Sequence, residues 1–269
     1  MNVAIIQARL GSTRLPGKVL LPLGSDTVLQ CVVKRVQAAR LVDTVWVVTS
    51  VSPEDKRIVR ACAEAGLNVF LGSESDVLDR FYQLAKHLPR DCNLVRITAD
   101  CPLMDPSVID LVIKIHLDEK NDYTSNTLKP TFPDGEDVEV FTFRALECAW
   151  KSARLTSERE HVTPYIKKHS ELFRLRNVEN SIDLSSKRWT LDEKSDYEFL
   201  RPIYEQLGAV SALFGMKDIL SYLLENPHLE EINSQITRDE GYRKSLENES
   251  SVELTPPGEP LAMKPNHEK

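Results

Sequence analysis

The 269-residue sequence has few of the features that mark secreted or membrane proteins. Its cysteines are odd in number and form no Cys-x-x-Cys pair, which argues against a disulfide framework or a zinc knuckle. No stretch approaches the ~20 apolar residues of a membrane span. The residues before the first apolar run contain neither the basic region nor the cleavage site of a secretion signal. We therefore expect a cytoplasmic protein that does not bind membranes.

The sequence also carries less positive than negative charge. The chain carries 34 lysines and arginines against 41 aspartates and glutamates, a formal net charge of -7. Binding to a nucleic-acid backbone depends on a basic face, so nucleic acid is not an expected partner. A small anionic ligand is not excluded, because a single basic loop is enough to bind one.

The chain does contain short apolar runs that alternate with amphipathic stretches. Buried strands are predicted at residues 2–8, 44–50, 67–71 and 93–98. The helices predicted between them end near residues 40, 66, 87 and 119, and the residues predicted to cap them are Ser25 or Asp26, Ser52, Ser75 or Asp76, and Asp105. Repeated strand-helix units of this length favour right-handed crossovers and a mostly parallel, doubly wound α/β sheet.

From residue 121 the pattern changes, and turn residues replace the strand-helix rhythm. Val138 and Val140 alternate with polar neighbours, as in a strand with one exposed face. Residues 121–185 therefore predict a small β-containing elaboration that folds over the cleft or forms a subunit interface. The other elements predicted in this half are strands at 172–178 and 188–191 and helices at 143–154, 216–225 and 236–247.

The domain prediction follows from these elements. Residues 1–235 are expected to form one domain, and residues 236–269 a C-terminal extension. From about residue 248 prolines alternate with serine, glutamate and lysine, and there is too little apolar surface to offset the entropy of ordering. We therefore expect disorder from about residue 248.

The segment of residues 9–18, here called the basic loop, concentrates Arg9, Arg14, Lys18 and two glycines directly after the first predicted strand. It therefore lies at a strand's carboxyl end, where ligands bind in open α/β sheets. Glycines allow backbone amides to approach an anion, and the cations would neutralise it. A nucleoside triphosphate is the expected ligand, although the loop is neither a Walker loop nor a dinucleotide fingerprint. The alternative is a plain turn at residues 15–17.

Asp100 follows the strand at 93–98 and is expected to face the same cleft. A carboxylate opposite a basic loop is poorly explained by packing. It is well explained by Mg²⁺, which takes one or two protein carboxylates and completes its shell with phosphate oxygens and water. We therefore predict Asp100 as a metal ligand.

Three further groups of polar residues have both a structural and a functional explanation. Ser73, Asp76 and Arg80 surround a helix start, which is explained either by capping alone or by capping together with a ligand contact at this edge of the sheet. The acids of residues 134–139 are either a solvated loop or a site for sugar hydroxyls; they are Asp134, Glu136, Asp137 and Glu139. Ser157 and Glu160 have capping-box spacing, whereas Arg159 and His161 could hold the carboxylate of an acidic sugar.

Five segments in order resemble motifs of the sugar-activating cytidylyltransferases, the group of CMP-Kdo synthetases, CMP-acylneuraminate synthetases and the spore-coat polysaccharide biosynthesis protein F family. They are QARLGSTRLPGKVL from residue 7, ITADCPLMDP from 97, FPDGEDVEVF from 132, SEREHVTPYI from 157 and RWTLDEKSDYEFL from 188. The last segment departs from the family's usual Leu-Thr-Val-Asp-Thr-Pro-Glu-Asp at residues 193–195. The spore-coat family is the nearest in pattern.

This resemblance implies a nucleotide-diphospho-sugar transferase fold and transfer of CMP from CTP to a sugar, specifically an acidic sugar, with release of pyrophosphate. It implies a homodimer and Mg²⁺ held by Asp100 and Asp192, with Lys18, Arg14, Asp100 and Asp192 as the catalytic set. The implied nucleotide contacts are Ala8, Arg9, Leu10, Gly11, Ser12, Thr13, Arg14, Lys18, Ser73, Asp76 and Arg80. The implied sugar contacts are Asp134, Glu136, Asp137, Glu139, Arg159, Glu160 and His161. A nucleotide-sugar-dependent glycosyltransferase and a non-catalytic binding protein are the alternatives.

Overall fold

The computed structural model describes residues 1–211 and 213–250. Its strands are β1 (Asn2–Gln7), β2 (Pro22–Leu23), β3 (Asp26–Thr27), β4 (Thr44–Ser50), β5 (Asn68–Gly72), β6 (Asn93–Thr98), β7 (Tyr123–Ser125), β8 (Glu139–Thr142) and β9 (Leu175–Asn177). Its α-helices are α1 (Val28–Gln37), α2 (Lys56–Glu64), α3 (Val77–Ala85), α4 (Pro106–Glu119), α5 (Phe143–Ser152), α6 (Thr156–His161), α7 (Pro164–Lys168), α8 (Lys194–Leu207), α9 (Met216–Glu225), α10 (His228–Glu231) and α11 (Glu240–Glu247). None of the described helices is both long and apolar enough to span a bilayer.

The main sheet has the strand order β5-β4-β1-β6-β8-β7-β9, and β2 and β3 form a separate short hairpin. β1 pairs in parallel with β4 and β6, and β4 pairs in parallel with β5. β8 is antiparallel to both β6 and β7. The predicted mostly parallel α/β sheet is therefore confirmed. The chain passes from β1 to β4 and β5 on one side and then returns to β6 on the other side of β1. The carboxyl ends of β1 and β6 therefore form the topological switch point, where ligands bind in open α/β sheets.

Alternate residues of β1 enter two cores on opposite faces of the sheet. Ala4 and Ile6 pack with residues of α1 and α4, whereas Val3 and Ile5 pack with residues of α3 and α5. All four side chains are fully buried. Burial on both faces explains why β1 has a continuous apolar run, and each buried isoleucine contributes about 1.5–3 kcal/mol.

Two helix starts differ from the predicted caps. α1 begins after Thr27, whose side chain forms a capping box with Gln30, rather than after Ser25 or Asp26. Asp26 lies in β3, where its carboxylate binds Lys34. α2 begins after Asp55 and not after Ser52. The predicted caps Asp76 and Asp105 are confirmed, since each accepts a hydrogen bond from the first turn of its helix.

The second half of the chain differs in three ways from the predicted strand pattern. Val138 and Val140 are buried, but the polar residue between them, Glu139, is buried as well and pairs with Arg96 and Lys167, so β8 has no exposed face at this point. The strand predicted at 172–178 is only β9. Residues 188–191 do not form the predicted strand, since Arg188 makes only an isolated bridge with Asp134.

The C-terminal extension packs on the domain as far as it is described. α11 is shorter than the helix predicted at 236–247. Residues 248–250, where we expect disorder to begin, are among the described residues. There the carbonyl of Ser250 accepts a hydrogen bond from the amide of Thr156 at 2.9 Å. The remainder of that prediction, residues 251–269, lies outside the described residues.

Gly135 is the glycine whose replacement should cost most in this region. Its φ is +115°, and a Cβ there would lie 2.7 Å from the backbone nitrogen of Thr190 and the carbonyl carbon of Trp189. We expect Gly135→Ala to lower the free energy of unfolding by about 1–3 kcal/mol, measured by urea denaturation. Gly241→Ala is the matched control, because nothing lies within 4 Å of the position that its methyl group would take. Equal stabilities of the two variants would contradict the prediction.

Candidate active site

A cleft of about 560 Å³ opens where β1 and β6 end side by side. Gln7 at the end of β1 is paired with Thr98 at the end of β6. The basic loop therefore emerges next to the segment that carries Asp100. The cleft brings together these residues predicted from the sequence: Ala8, Arg9, Gly11, Ser12, Thr13, Arg14, Lys18, Arg80, Asp100, Asp134, Asp137, Glu160, His161 and Asp192.

The basic loop is fixed at its start by a buried carboxylate that the sequence analysis missed. Asp55 accepts the amide of Leu10 at 2.7 Å and the hydroxyl of Ser50 at 2.5 Å. The carbonyl of Leu10 in turn accepts the amides of Ser12, at 2.8 Å, and of Gly17, at 3.1 Å. The backbone amides of Leu10 and Ser12, two of the predicted nucleotide contacts, are therefore already paired within the fold, and the Leu10 side chain is buried in the core.

Lys18 lies between Asp100, which follows β6, and Asp192. Its Nζ is 2.6 Å from Oδ2 of Asp100 and 2.8 Å from Oδ1 of Asp192, and it also donates to the carbonyl of Leu191 at 2.8 Å. Burial lowers the pKa of Lys18, but the two carboxylates outweigh burial and raise it above its ordinary value. Burial likewise raises the pKa of Asp100, yet Lys18 lowers it to about 2. Lys18 and Asp100 are both charged at neutral pH.

The same two carboxylates are the donor set expected for Mg²⁺. Both converge on a single cation, at present the ammonium of Lys18. Carboxylate oxygens are hard ligands, and Mg²⁺ is commonly held by one or two of them together with substrate phosphates. Within the described residues no group of three or more acidic, histidine or cysteine side chains could enclose a metal. Asp100 and Asp192 could thus hold a magnesium ion only if its remaining ligands were supplied by phosphate and water.

Arg14 of the basic loop is surrounded by carboxylates. Its guanidinium lies 2.8 Å from Asp192, 3.5 Å from Glu193 and 2.9 Å from Glu240. Arg9 lies at the mouth of the cleft, where its side chain is 47% exposed and 3.4 Å from Glu160. The cations of this loop are therefore either exposed to incoming ligand or paired with anions that a ligand phosphate could replace.

Arg188 joins the acidic segments of the site, a role that the sequence analysis did not assign. It binds Asp196 through two hydrogen bonds of 2.8 and 2.9 Å, Asp134 at 3.0 Å and Asp192 at 3.4 Å. Asp196 also accepts the amides of Asp192 and Glu193, each at 2.8 Å. The loop after Asp192 is therefore held firmly, although residues 193–195 depart from the family pattern. The only hint in the sequence was the spacing of four between Arg188 and Asp192.

Two acids of the 134–139 segment line the cleft. Burial and the neighbouring Asp137 raise the pKa of Asp134 to about 7. Burial also raises the pKa of Asp137, whose carboxylate binds Arg238. Asp134 therefore binds a proton more readily than an exposed aspartate does, at a position that lines the cleft.

The other two acids of that segment do not line the cleft, which corrects their predicted role as sugar contacts. Glu136 is fully buried, where it accepts the amide of Asp105 at 2.8 Å, and burial raises its pKa well above the ordinary value. Glu139 is buried between Arg96 and Lys167. Burial alone would raise the pKa of Glu139, but these two cations hold it well below its usual range. Both residues therefore lie inside the fold, away from the cleft lining.

Arg159 does not line the cleft either. Its guanidinium donates to Oδ2 of Asp76 at 2.8 Å and to the carbonyl of Trp150 at 2.8 Å, and the residue is buried. Asp76 caps α3, and Ser73 accepts the Asp76 amide at 3.1 Å. Ser73, Asp76 and Arg159 thus support one another, and none of the three is among the residues that line the cleft. Arg80 does line it, and burial lowers the pKa of Arg80 to about 10.

Glu160 and His161 line the cleft at the end of α6. The predicted Ser157–Glu160 capping box is wrong, since Glu158 caps this helix by accepting the amide of Leu155. Burial, together with the nearby Arg96, lowers the pKa of His161 to about 4, which favours a neutral imidazole in the absence of ligand. Its Nε2 is 2.9 Å from the hydroxyl of Ser245 in α11. Sequence patterns gave no sign that this C-terminal helix reaches the cleft.

Comparison with known proteins agrees with this geometry. The family model for cytidylyltransferases matches residues 3–219. The chain is 35% identical over 238 residues to the spore coat polysaccharide biosynthesis protein SpsF of Bacillus subtilis, covering 83% of this chain and 94% of that protein. It is 42% identical over 111 residues to a 3-deoxy-manno-octulosonate cytidylyltransferase of Anaeromyxobacter dehalogenans, 40% of this chain and 44% of that one. The structure of a cytidylyltransferase from Leptospira borgpetersenii is similar with a TM-score of 0.81 and 33% identity, covering 88% of this chain and 98% of that one. The chain therefore belongs to the cytidylyltransferase family.

Proposed function

We propose that this protein transfers CMP from CTP to a hydroxyl of a sugar, releasing pyrophosphate, in the synthesis of cell-surface polysaccharide or glycoconjugate. The observation that carries the proposal is the position of Lys18 between Asp100 and Asp192, at the point where β1 and β6 end. The phosphates of a nucleoside triphosphate would take the place of the carboxylates that now surround Lys18 and Arg14. The names of the relatives support CTP as that triphosphate.

The reaction is an in-line displacement at the α-phosphorus. The sugar hydroxyl oxygen forms a bond to that phosphorus, the bond to the bridging oxygen of the β-phosphate breaks, and pyrophosphate leaves with the electron pair. Arg14 and Lys18 would stabilise the charge that develops on the leaving group. Mg²⁺ on Asp100 and Asp192 would supply further positive charge at the phosphates. No covalent intermediate with the protein is required.

The hydroxyl proton needs an acceptor, and Asp134 is our candidate. It lies in the cleft with a pKa raised to about 7 by burial and by Asp137. A base must be deprotonated to act, so turnover should rise with pH through about 7. A wild-type pH profile that Asp134→Asn leaves unchanged would exclude Asp134 from this role.

An acidic acceptor is part of the proposal, although neither Arg159 nor His161 supplies a cation to its carboxylate in this structure. Arg159 is buried against Asp76, and His161 is neutral. Lys244 of α11 lines the cleft and is 57% exposed, with its Nζ 2.9 Å from Glu240. We propose that Lys244 binds the carboxylate of the acceptor sugar.

The test is to incubate the protein with CTP, Mg²⁺ and a panel of sugar acids that includes 3-deoxy-manno-octulosonate. Pyrophosphate should appear together with a product whose mass is that of a CMP-sugar. Consumption of a nucleotide-sugar instead, or no pyrophosphate with any acceptor, would contradict the proposal. A homodimer built through residues 121–185 also stays a proposal, and sedimentation of the purified protein tests it.

A further inference from the structure

Residues 238–250, here called the C-terminal strap, cross the cleft and are attached to both of its sides. On the side of the basic loop, Glu240 binds Arg14 at 2.9 Å. At the floor of the cleft, Arg238 binds Asp137 and donates to the carbonyl of Phe132 at 3.1 Å. The strap therefore spans from the proposed triphosphate side to the acidic segment.

The far end of the strap is anchored at the start of α6. The carboxylate of Glu249 accepts the amide of Ser157 at 3.0 Å, its hydroxyl at 2.7 Å and the hydroxyl of Thr156 at 3.0 Å. The amides at the beginning of a helix lack partners within the helix, and a carboxylate there is favourable. Glu249 thus caps α6 from outside and attaches the end of the strap to the domain.

Between these anchors the strap faces Glu160 and His161. The hydroxyl of Ser245 donates to Oε2 of Glu160 at 3.0 Å and lies 2.9 Å from Nε2 of His161. The ring of Tyr242 packs edge-on against His161, with the ring centroids 5.0 Å apart. Lys244 and Ser245 line the cleft from the same helix. The strap consequently orients the two predicted sugar-side residues and adds a cation beside them.

We propose that the C-terminal strap forms the acceptor-side wall of the active site, with Ser245 positioning Glu160 and His161, and that Glu240 occupies Arg14 until a CTP phosphate replaces it. This inference rests on the proposed function. The two parts of the proposal predict opposite changes: tighter binding of CTP in one variant and weaker binding of the acceptor sugar in the others. Removing Glu240 frees a cation for CTP, whereas removing Ser245 or Lys244 removes contacts from the acceptor side.

The first arm of the experiment uses CTP alone, in the full-length protein. A calorimetric titration of Glu240→Gln with CTP and Mg²⁺ should give a Kd about 2–5 times lower than the wild type, because a partly exposed ion pair no longer competes for Arg14. Unchanged or weaker binding of CTP would overturn this part. The outcome does not depend on knowing the acceptor.

The second arm measures pyrophosphate release with the sugar acid that the wild-type protein uses in the panel. Ser245→Ala and Lys244→Gln should each raise the KM for that acceptor about 5–10-fold and leave the Kd for CTP unchanged, since a hydrogen bond to a charged group is lost. Ser245→Thr keeps the hydroxyl and should restore the wild-type KM. An unchanged acceptor KM in both variants would overturn the assignment of the wall.

Arg243→Gln is the matched control on the same helix. Arg243 is exposed, lies outside the cleft lining and binds Thr237, so neither constant should change. If the strap had only a structural role, Ser245→Ala and Lys244→Gln would lower the melting temperature and weaken the binding of both substrates together. Failure of the proposed function gives another pattern: the wild-type protein would release no pyrophosphate with any acceptor, while the CTP titration of Glu240→Gln would still report on Arg14.

Discussion

Asp100→Asn and Asp192→Asn should each lower kcat by about 10²–10³-fold, the scale observed when a group that stabilises transition-state charge is lost. The substitution keeps the shape of each side chain and removes the charge that converges on Lys18 and, in our proposal, on Mg²⁺. Because the two carboxylates act on one cation, the double variant should be little worse than either single variant. The measurement is the rate of pyrophosphate release at saturating CTP.

Asp118→Asn serves as the control for this experiment. Asp118 is 60% exposed on α4, where it binds Lys114, and its replacement should leave kcat unchanged. Losses at Asp100 and Asp192 that multiply in the double variant would show that the two carboxylates act independently. That result would contradict a shared cation.

Arg188→Met should cause the largest loss of stability, about 3–5 kcal/mol, because breaking a buried ion pair leaves uncompensated charges. The Arg188 side chain is 5% exposed, and its partner Asp196 is fully buried. Arg201→Met is the matched control. Arg201 forms a surface pair with Glu205 at 3.1 Å and is 57% exposed, so its loss should cost no more than about 0.5 kcal/mol. Urea denaturation measures both.

The loss at Arg188 should also depend on pH. Burial raises the pKa of Asp196, but Arg188 and two backbone amides outweigh burial and lower it. A carboxyl with a lowered folded-state pKa stabilises the protein above its unfolded pKa of about 3.9, and that contribution is lost as pH falls through the folded pKa. Without Arg188, burial raises the folded-state pKa of Asp196, so the folded variant is no longer penalised by protonation. The stability difference between the wild type and the variant should therefore shrink as pH falls through about 4. Parallel pH profiles of the two proteins would contradict this account.

Much of the site can be predicted because it depends on local patterns. The apolar runs of β1 and β6 indicate two parallel strands, and the residues that follow each run must then meet at one edge of the sheet. This reasoning places Arg14, Lys18 and Asp100 in the cleft, where the structure has them. The caps Asp76 and Asp105 are likewise predictable, since a cap acts within three residues.

The contacts that sequence patterns miss join residues far apart in the chain. Asp55 fixes Leu10 across 45 positions, and Glu240 reaches Arg14 across 226. No periodicity or spacing encodes such a pair. The C-terminal strap is predicted only as an extension of the domain for the same reason, because its charged helix has little apolar surface and its role depends on α6 and the basic loop.

The predicted surroundings of Arg159 and Glu139 are wrong because a sequence motif does not show which way a side chain faces. Arg159 reaches back to Asp76 in a different part of the chain. Glu139 stands in the register position opposite Arg96 of β6, and the pair is buried inside the sheet. A charged residue among valines suggests an exposed strand face, whereas the charge of Glu139 is neutralised across the strands.

Calorimetric titration of CTP in the presence of Mg²⁺ tests the location of the nucleotide site most directly. We expect the wild-type protein to bind CTP. Lys18→Gln and Arg14→Gln should each weaken binding about 10–150-fold, the range for hydrogen bonds to charged groups. Lys34→Gln, which changes a 57% exposed lysine that binds Asp26, should bind CTP as the wild type does. Wild-type affinity in Lys18→Gln and Arg14→Gln would contradict the assignment of the triphosphate to the basic loop.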